Sequence, residues 1–316
     1  NVAGICGRLY GGVIEECAVI GSYIEGRDHT AAITGDVNWA VVNGDTIAGR
    51  VSNCFSDAVI YSREYQASGI AGVINGGTIE NCLFSGTIDC YYTNSGVASS
   101  LVDSEGVTTI IKNNALFASH NYGGQNDCQF NRVANKYGRY AELENNWSLN
   151  TTGIGATSAG FGFTSDLSQF NNDPNDEMGA DVTIEEARSE DFYSNTLGWD
   201  FAIVWGFYPD TEGKAYPVLQ WMIESEEKLP TRIFDVPENA KLIWEDGTEY
   251  LNLAGIHGSF GQVLKIAITS GEGKATYDDD LALLYIGDKA GEFGGIGDVT
   301  LSVDFDEELK DVYAHT

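Results

Sequence analysis

The chain has 316 residues, 43% of them hydrophobic, which excludes a disordered chain and is too long for one ordinary core. Asp and Glu number 47 against 17 Lys and Arg, and the resulting net charge of -30 excludes a nucleic-acid surface and disfavours anionic membranes. Thirty-eight glycines against five prolines imply tight turns between short strands, and no apolar run reaches the roughly 20 residues needed to span a bilayer.

Asn1 already stands inside a repeat, which implies that a signal peptide and upstream repeats were removed or that the chain is a fragment. The segment Ala3-Gly4-Ile5-Cys6-Gly7, followed by Gly11-Gly12-Val13-Ile14-Glu15-Glu16-Cys17, has a second copy. It returns 65 residues later as Gly69-Ile70-Ala71-Gly72 and Gly76-Gly77-Thr78-Ile79-Glu80-Asn81-Cys82. Weaker copies start at Ala32, Gly96 and Arg132, the first carrying an insertion before Val51. This alignment places Cys17, Cys54, Cys82, Ala115 and Trp147 at one position, with steps of 37, 28, 33 and 32 residues.

Within a unit, Cys82, Phe84, Gly86 and Ile88 alternate with Leu83, Ser85 and Thr87, the period of a strand with one buried face. A unit this small cannot bury its own apolar face, so units must stack and share a core, with strands paired in parallel. Asn53, Asn81, Asn114 and Asn146 precede the ladder position and are expected to turn the corner in the left-handed conformation.

At these residues the sequence resembles the GLUG-motif repeat proteins, exported proteins of gut and other anaerobic bacteria. The copies ending at Cys17 and Cys82 match that motif well, and the other three are degenerate. A tail of the kind that follows the last such repeat is similar to Gly198-Trp199-Asp200-Phe201, Val204-Trp205 and Tyr216-Pro217-Val218-Leu219-Gln220-Trp221. The resemblance implies a surface-exposed, adhesin-like protein.

Residues 151–182, rich in Gly, Ser, Thr, Asn and Asp, read as loop. Thr183 and Glu186 form a capping-box pattern that predicts one short helix through about Tyr193. The aromatic run Trp199, Phe201, Trp205, Phe207, Tyr208 and Trp221 suits a plug at the end of the solenoid; alternatively Trp199, Trp205 and Tyr208 stack on sugars. After the charged hinge Glu224, Glu226, Glu227 and Lys228, candidate strands at 241–244, 250–253, 263–269, 281–286 and 299–305 predict a β-sandwich. That stretch loosely resembles bacterial Ig-like modules.

The expected fold is therefore all-β: a right-handed parallel β-helix (solenoid) of about five coils, then a small Ig-like β-sandwich. Domain boundaries fall at 1–150 for the repeats, 151–227 for a loop-rich aromatic capping segment, and 228–316 for the sandwich.

Signals for chemistry are sparse. The six cysteines (Cys6, Cys17, Cys54, Cys82, Cys90, Cys128) lack zinc spacing and read as buried free thiols. His29, His120, His257 and His315 belong to no nucleophile motif. Asp173, Asn175, Asp176 and Glu177 form the densest oxygen cluster and could hold Ca²⁺ weakly, as could Asp278, Asp279 and Asp280, though neither run has EF-hand spacing. No other cofactor is expected.

The sequence thus predicts a non-catalytic, monomeric, extracellular cell-surface protein, an adhesin that binds a host or dietary glycan or an extracellular protein. Nucleic acid and membrane insertion of this segment are not expected. The alternatives are a β-helix polysaccharide lyase or hydrolase, which needs paired carboxylates or a basic residue beside Ca²⁺, and a structural stalk or spacer.

Overall fold

A computed structural model describes residues 1–90, 92–102, 106–121, 129–135, 141–150, 172–225, 228–231, 241–243, 249–252, 260–261, 264–270, 275–278, 283–286, 300–305 and 312–315. The described residues of 1–150 wind into five stacked coils, each running through up to five short strands, and like strands of successive coils pair in parallel. The architecture is a parallel β-helix.

It has five faces, numbered in chain order. Face 1 stacks Val2–Ala3, Thr30–Ala31, Gln66–Ser68, Thr93–Ser95 and Gln129–Asn131. Face 2 stacks Leu9–Tyr10, Thr34–Asn38, Ala71–Asn75 and Ala98–Leu101. Face 3 stacks Val13–Glu15, Gly49–Ser52, Gly77–Glu80, Thr109–Lys112 and Glu142–Glu144. Face 4 stacks Ala18–Val19, Phe55–Ser56, Leu83–Phe84, Ala115–Leu116, Trp147–Leu149 and a sixth strand, Ala180–Val182. Face 5 stacks Tyr23–Gly26, Val59–Ser62, Thr87–Cys90 and Ser119–Asn121.

Interior columns follow from this register. Ile14, Val51, Ile79, Ile111 and Leu143 line face 3, and Ile24, Ile60 and Ile88 line face 5, all in one core. The β-branched side chains repeat at the strand spacing of about 4.8 Å, so each packs on its own kind in the coil above.

The corner between faces 3 and 4 corrects the column expected from the sequence. Glu16, Asn53, Asn81, Asn113 and Asn145 make the turn, with φ of 52, 51, 54, 54 and 53°. Asn113 and Asn145, rather than Asn114 and Asn146, are thus the left-handed residues of the last two coils. Leu83 pairs with Ala115, and Ala115 with Trp147. Cys17, Cys54 and Cys82 therefore continue into Asn114 and Asn146, while Ala115 and Trp147 belong to the next, outward-facing column. The true step from Cys82 is one residue shorter than the apolar alignment gives.

The physical reason lies in the corner carbonyls. Cys17, Cys54 and Cys82 each aim Sγ at the carbonyl two residues back, at 3.2, 3.2 and 3.3 Å. In the lower coils an amide does the equivalent work: Asn114 Oδ1 accepts from Cys82 N at 3.0 Å, and Asn114 Nδ2 donates to Asn146 Oδ1 at 2.9 Å. Asn146 Nδ2 in turn donates to Ile111 O at 2.9 Å.

The insertion of the second coil is a hairpin, Ala40–Val42 against Asp45–Ile47. Its turn residues Asn43 and Gly44 both have positive φ (54 and 92°), the conformation that an Asn-Gly pair favours.

Residues 183–225 and 228–231 do not plug the end of the solenoid as the aromatic run suggested. They lie along its side, over the outer surface of face 4. Helix α1 (Ile184–Ala187) opens with the expected capping box: Glu186 N donates to Thr183 Oγ1 at 3.2 Å and Thr183 N to Glu186 Oε2 at 3.0 Å. A π-helical turn, Phe192–Leu197, ends at Gly198 (φ 70°). Trp205–Gly206 then pairs antiparallel with Val218–Leu219, which leads into α2, Gln220–Ile223.

The reason for this lateral course is that face 4 is apolar on both sides. Phe55, Leu83, Ala115 and Phe117 point outward and need a cover, which Tyr193, Trp199, Trp205, Tyr216 and Phe260 supply. Phe260 stacks on Phe55 with ring centroids 5.1 Å apart.

The C-terminal region has strands near each of the expected places. Lys241–Ile243, Glu249–Asn252, Leu283–Ile286 and Ala275–Asp278 form one antiparallel sheet, and Leu264–Ser270 pairs antiparallel with Thr300–Phe305. Leu229–Thr231 pairs in parallel with Tyr313–His315. The packing that would define an Ig-like sandwich rests on side chains outside the described residues.

Candidate binding surface

Three aromatics suggested as a sugar platform are part of the interior. Trp199, Trp205 and Tyr208 are at most 9% exposed, because they fill the seam between face 4 and its cover. Trp199 and Trp205 stack on one another at 4.3 Å, and Trp199 Nε1 donates to Asn113 O at 2.9 Å. Tyr208 donates its hydroxyl to Met222 O at 2.6 Å, and burial pushes its phenol up to about 12. Their faces are occupied by protein, so they cannot stack on a ligand in this arrangement.

The acidic loop is likewise committed to backbone contacts. Asp173 Oδ1 accepts from Asn175 N at 2.9 Å, and Asp176 accepts from Glu177 N. Asn175 Oδ1 accepts from Asn145 N at 3.1 Å, and Glu177 O accepts from Val133 N at 2.9 Å, so the loop continues the stack below coil 5. Among the described residues no group of three or more His, Cys, Asp or Glu side chains is placed to hold a metal ion. Arg132, buried beside this loop, clamps it through Asp181 Oδ1 at 2.7 Å and Met178 O at 2.9 Å.

Cys6, Cys17, Cys54, Cys82 and Cys90 are free thiols. Burial pushes the Cys82 thiol well above its ordinary range, which keeps it a donor to its corner carbonyl. Cys128, the side chains of His120, His257 and His315, and the Asp279–Asp280 part of the second acidic run lie outside the described residues. His29 sits at a corner with φ 47°, its Nδ1 3.0 Å from Asn1 Oδ1 and its ring between Asp28 and Asp36. None of those partners is a serine or cysteine.

A different group of aromatics does face solvent. Around the corner from face 5 to face 1, three successive coils present Tyr23, Tyr65 and Tyr92, exposed by 62, 52 and 42%: Tyr65 and Tyr92 stand at the corner itself, next to the paired Gln66 and Thr93, and Tyr23 opens the face 5 strand of coil 1 in register with Val59. Tyr61, half-buried, stands in register with Glu25 of coil 1 and Asp89 of coil 3. Tyr65 and Tyr92 meet edge to face with centroids 6.3 Å apart.

Two ion pairs cross between coils 1 and 2 in the same corner. Arg27 Nε meets Glu64 Oε2 at 2.6 Å, and Arg63 pairs with Glu25. Both guanidiniums engage through Nε and stay largely exposed. The slight burial of Tyr23, with Glu25, Tyr61 and Asp89 beside it, raises its phenol above the usual range, so the hydroxyl stays neutral and able to donate.

Sequence reading missed this corner because each tyrosine comes from a different coil and occupies an ordinary outward strand or turn position. The available signal was the common place of Tyr65 and Tyr92 in the repeat, each just before a face 1 strand; Tyr23, at the start of a face 5 strand, shares no such place.

The fold and this corner define the chain as a stacked parallel β-helix with an exposed aromatic edge. Among solved structures it is similar to the 1.30 Å crystal structure of a putative immunoglobulin A1 protease from Bacteroides ovatus, with a TM-score of 0.54 and 20% identity. The match covers 70% of this chain and 63% of that one, so the chain spans less than two thirds of its neighbour's length. At that identity the likeness speaks for the fold. No protein-family profile and no curated protein matches the chain.

Proposed function

We propose that this chain is a non-catalytic, exported surface module that binds an extracellular ligand through the tyrosine corner, an adhesin-like role in keeping with the resemblance of its repeats to the GLUG motif. One observation carries the reading: Tyr23, Tyr65 and Tyr92 stand in solvent on three adjacent coils of a rigid scaffold. Exposed aromatics fixed on regular elements present large contact area at low entropic cost, which a mere stalk does not need.

The neighbour's name raises proteolysis as a second possibility, and the fold class raises polysaccharide cleavage. Cleavage needs a carboxylate pair or a nucleophile poised over a bound chain. The corner's carboxylates Glu25 and Glu64 are instead tied to Arg63 and Arg27.

The test is capture by the immobilised chain across panels of glycans and extracellular matrix proteins, alongside a variant with Tyr23, Tyr65 and Tyr92 changed to alanine. The expected result is a captured ligand, lost in the variant and recovered intact after prolonged incubation. Silence across both panels, or release of cleaved products, overturns the reading.

A further inference from the structure

Resting on that binding reading, we infer that the ligand of the tyrosine corner is an uncharged polysaccharide chain crossing coils 1–3 obliquely to the solenoid axis. Three features of the corner select this chemistry.

The first is direction. Tyr65 and Tyr92 stand in register, and Tyr23 lies one coil above and to the side, in register with Val59 at the start of face 5, so the three form a row oblique to the axis. Two strand spacings separate coil 1 from coil 3, about 10 Å. That distance exceeds one sugar ring, so a single residue cannot touch the whole row, whereas a chain can.

The second is the alternation of ring and hydrogen-bonding groups. Sugar rings offer an apolar face for an aromatic side chain and a rim of hydroxyls. Around the tyrosines stand the exposed guanidiniums of Arg27 and Arg63 as donors and the carboxylates of Glu25, Glu64 and Asp89 as acceptors. The two cross-coil ion pairs fix those groups before a ligand arrives, which lowers the ordering cost of binding.

The third is charge. Glu25, Asp28, Glu64 and Asp89 outnumber Arg27 and Arg63 at this corner of a molecule whose net charge is -30. A polyuronate or sulfated chain would be repelled both locally and by the whole molecule, an effect of like-charge juxtaposition that no surrounding basic patch offsets. A neutral chain meets no such penalty.

The experiment is calorimetric titration of the full chain with cello-, manno- and xylo-oligosaccharides of one to six residues, with polygalacturonate, and with a panel of matrix proteins as a separate arm. At least one neutral series should bind, its affinity rising with length until the chain spans three coils. Tyr65→Ala or Tyr92→Ala should each weaken it about tenfold, while Tyr65→Phe, which keeps the ring, retains most of the affinity. Unchanged circular dichroism of the variants shows that the fold is intact.

Binding of polygalacturonate in preference to every neutral chain overturns the inference, as does neutral binding that ignores both alanine changes. Tyrosine-dependent binding of a matrix protein with no glycan bound overturns it while leaving the binding reading in place. No ligand in either arm overturns both.

Discussion

Asn114 shows how one buried side chain can hold several strands in register. It accepts from Cys82 N in the coil above and donates to Asn146 Oδ1 in the coil below, at 3.0 and 2.9 Å, and it is wholly buried. Replacing it with alanine orphans the Cys82 N donor and removes the amide's bonds to Asn146 Oδ1 and Ile79 O, where water does not reach. Each buried unsatisfied group costs about 1–3 kcal/mol, so Asn114→Ala should lose roughly 2–4 kcal/mol in urea unfolding. Asn114→Cys should lose less, because a thiol occupies the same column in Cys54 and Cys82 and caps a carbonyl there. An alanine variant within about 0.5 kcal/mol of the parent would mean that this amide column does not stabilise the stack.

Face 3 shows the same principle in charges on the outside of an element. Arg50 meets Glu15 Oε1 at 3.1 Å and Glu80 Oε1 at 2.7 Å, and Lys112 meets Glu80 Oε2 at 3.2 Å, so one ladder ties coils 1 to 4. Partial burial alone would raise the Glu80 carboxyl, but the bonds from Arg50 and Lys112 outweigh it and hold the group below the usual carboxylate range. A depressed folded value means that this contribution is complete above the unfolded value of about 4.3 and is lost as pH falls through the folded one. Glu80→Gln should therefore lower the denaturation midpoint at pH 7 yet change it little near pH 2, when each midpoint is compared with the parent at the same pH. An equal difference at both values would remove the ladder from the stability of this face.

Elements of this kind were readable in the sequence where a residue type has one physical use. The Thr183–Glu186 box and the parallel stacking of units such as those at Cys17 and Cys82 both follow from local chemistry. The column beyond Cys82 was misread because Asn113-Asn114 and Asn145-Asn146 are doublets. Either asparagine can turn a corner, and only the neighbouring coil decides which one points inward. The tyrosine corner was invisible for a related reason: it joins residues that are distant in sequence and individually unremarkable.

At the scale of the molecule, the segment over face 4 links the two ends of the stack. Near coil 5, Asn145 Nδ2 donates to Thr196 O at 2.7 Å and Trp147 packs edge to face on Phe192 at 5.7 Å. At coil 1, Trp221 Nε1 donates to Glu16 O at 3.0 Å, and Pro230 lies over Gly21. Coil 1 is the least buried part of the core: Leu9, Ile14, Val19 and Ile24 keep 8–9% exposure, whereas Val51, Ile60 and Ile79 keep none. In a stack whose coils contact only their neighbours, such a coil opens first unless something else holds it.

Trp221 is the contact that does so, and it is half exposed, so its loss leaves no internal cavity. Trp221→Ala should lower the local opening free energy of coil 1 by about 1–2 kcal/mol, a roughly tenfold faster hydrogen exchange. The amides that report it are those bonded across the first two coils, such as Arg50 N to Gly12 O and Phe55 N to Cys17 O. Amides deep in the stack, such as Ala115 N to Cys82 O and Phe117 N to Phe84 O, should exchange as before. Equal acceleration at both sets would show that the coils open together and that the cover acts on the solenoid as a whole rather than by pinning its first turn.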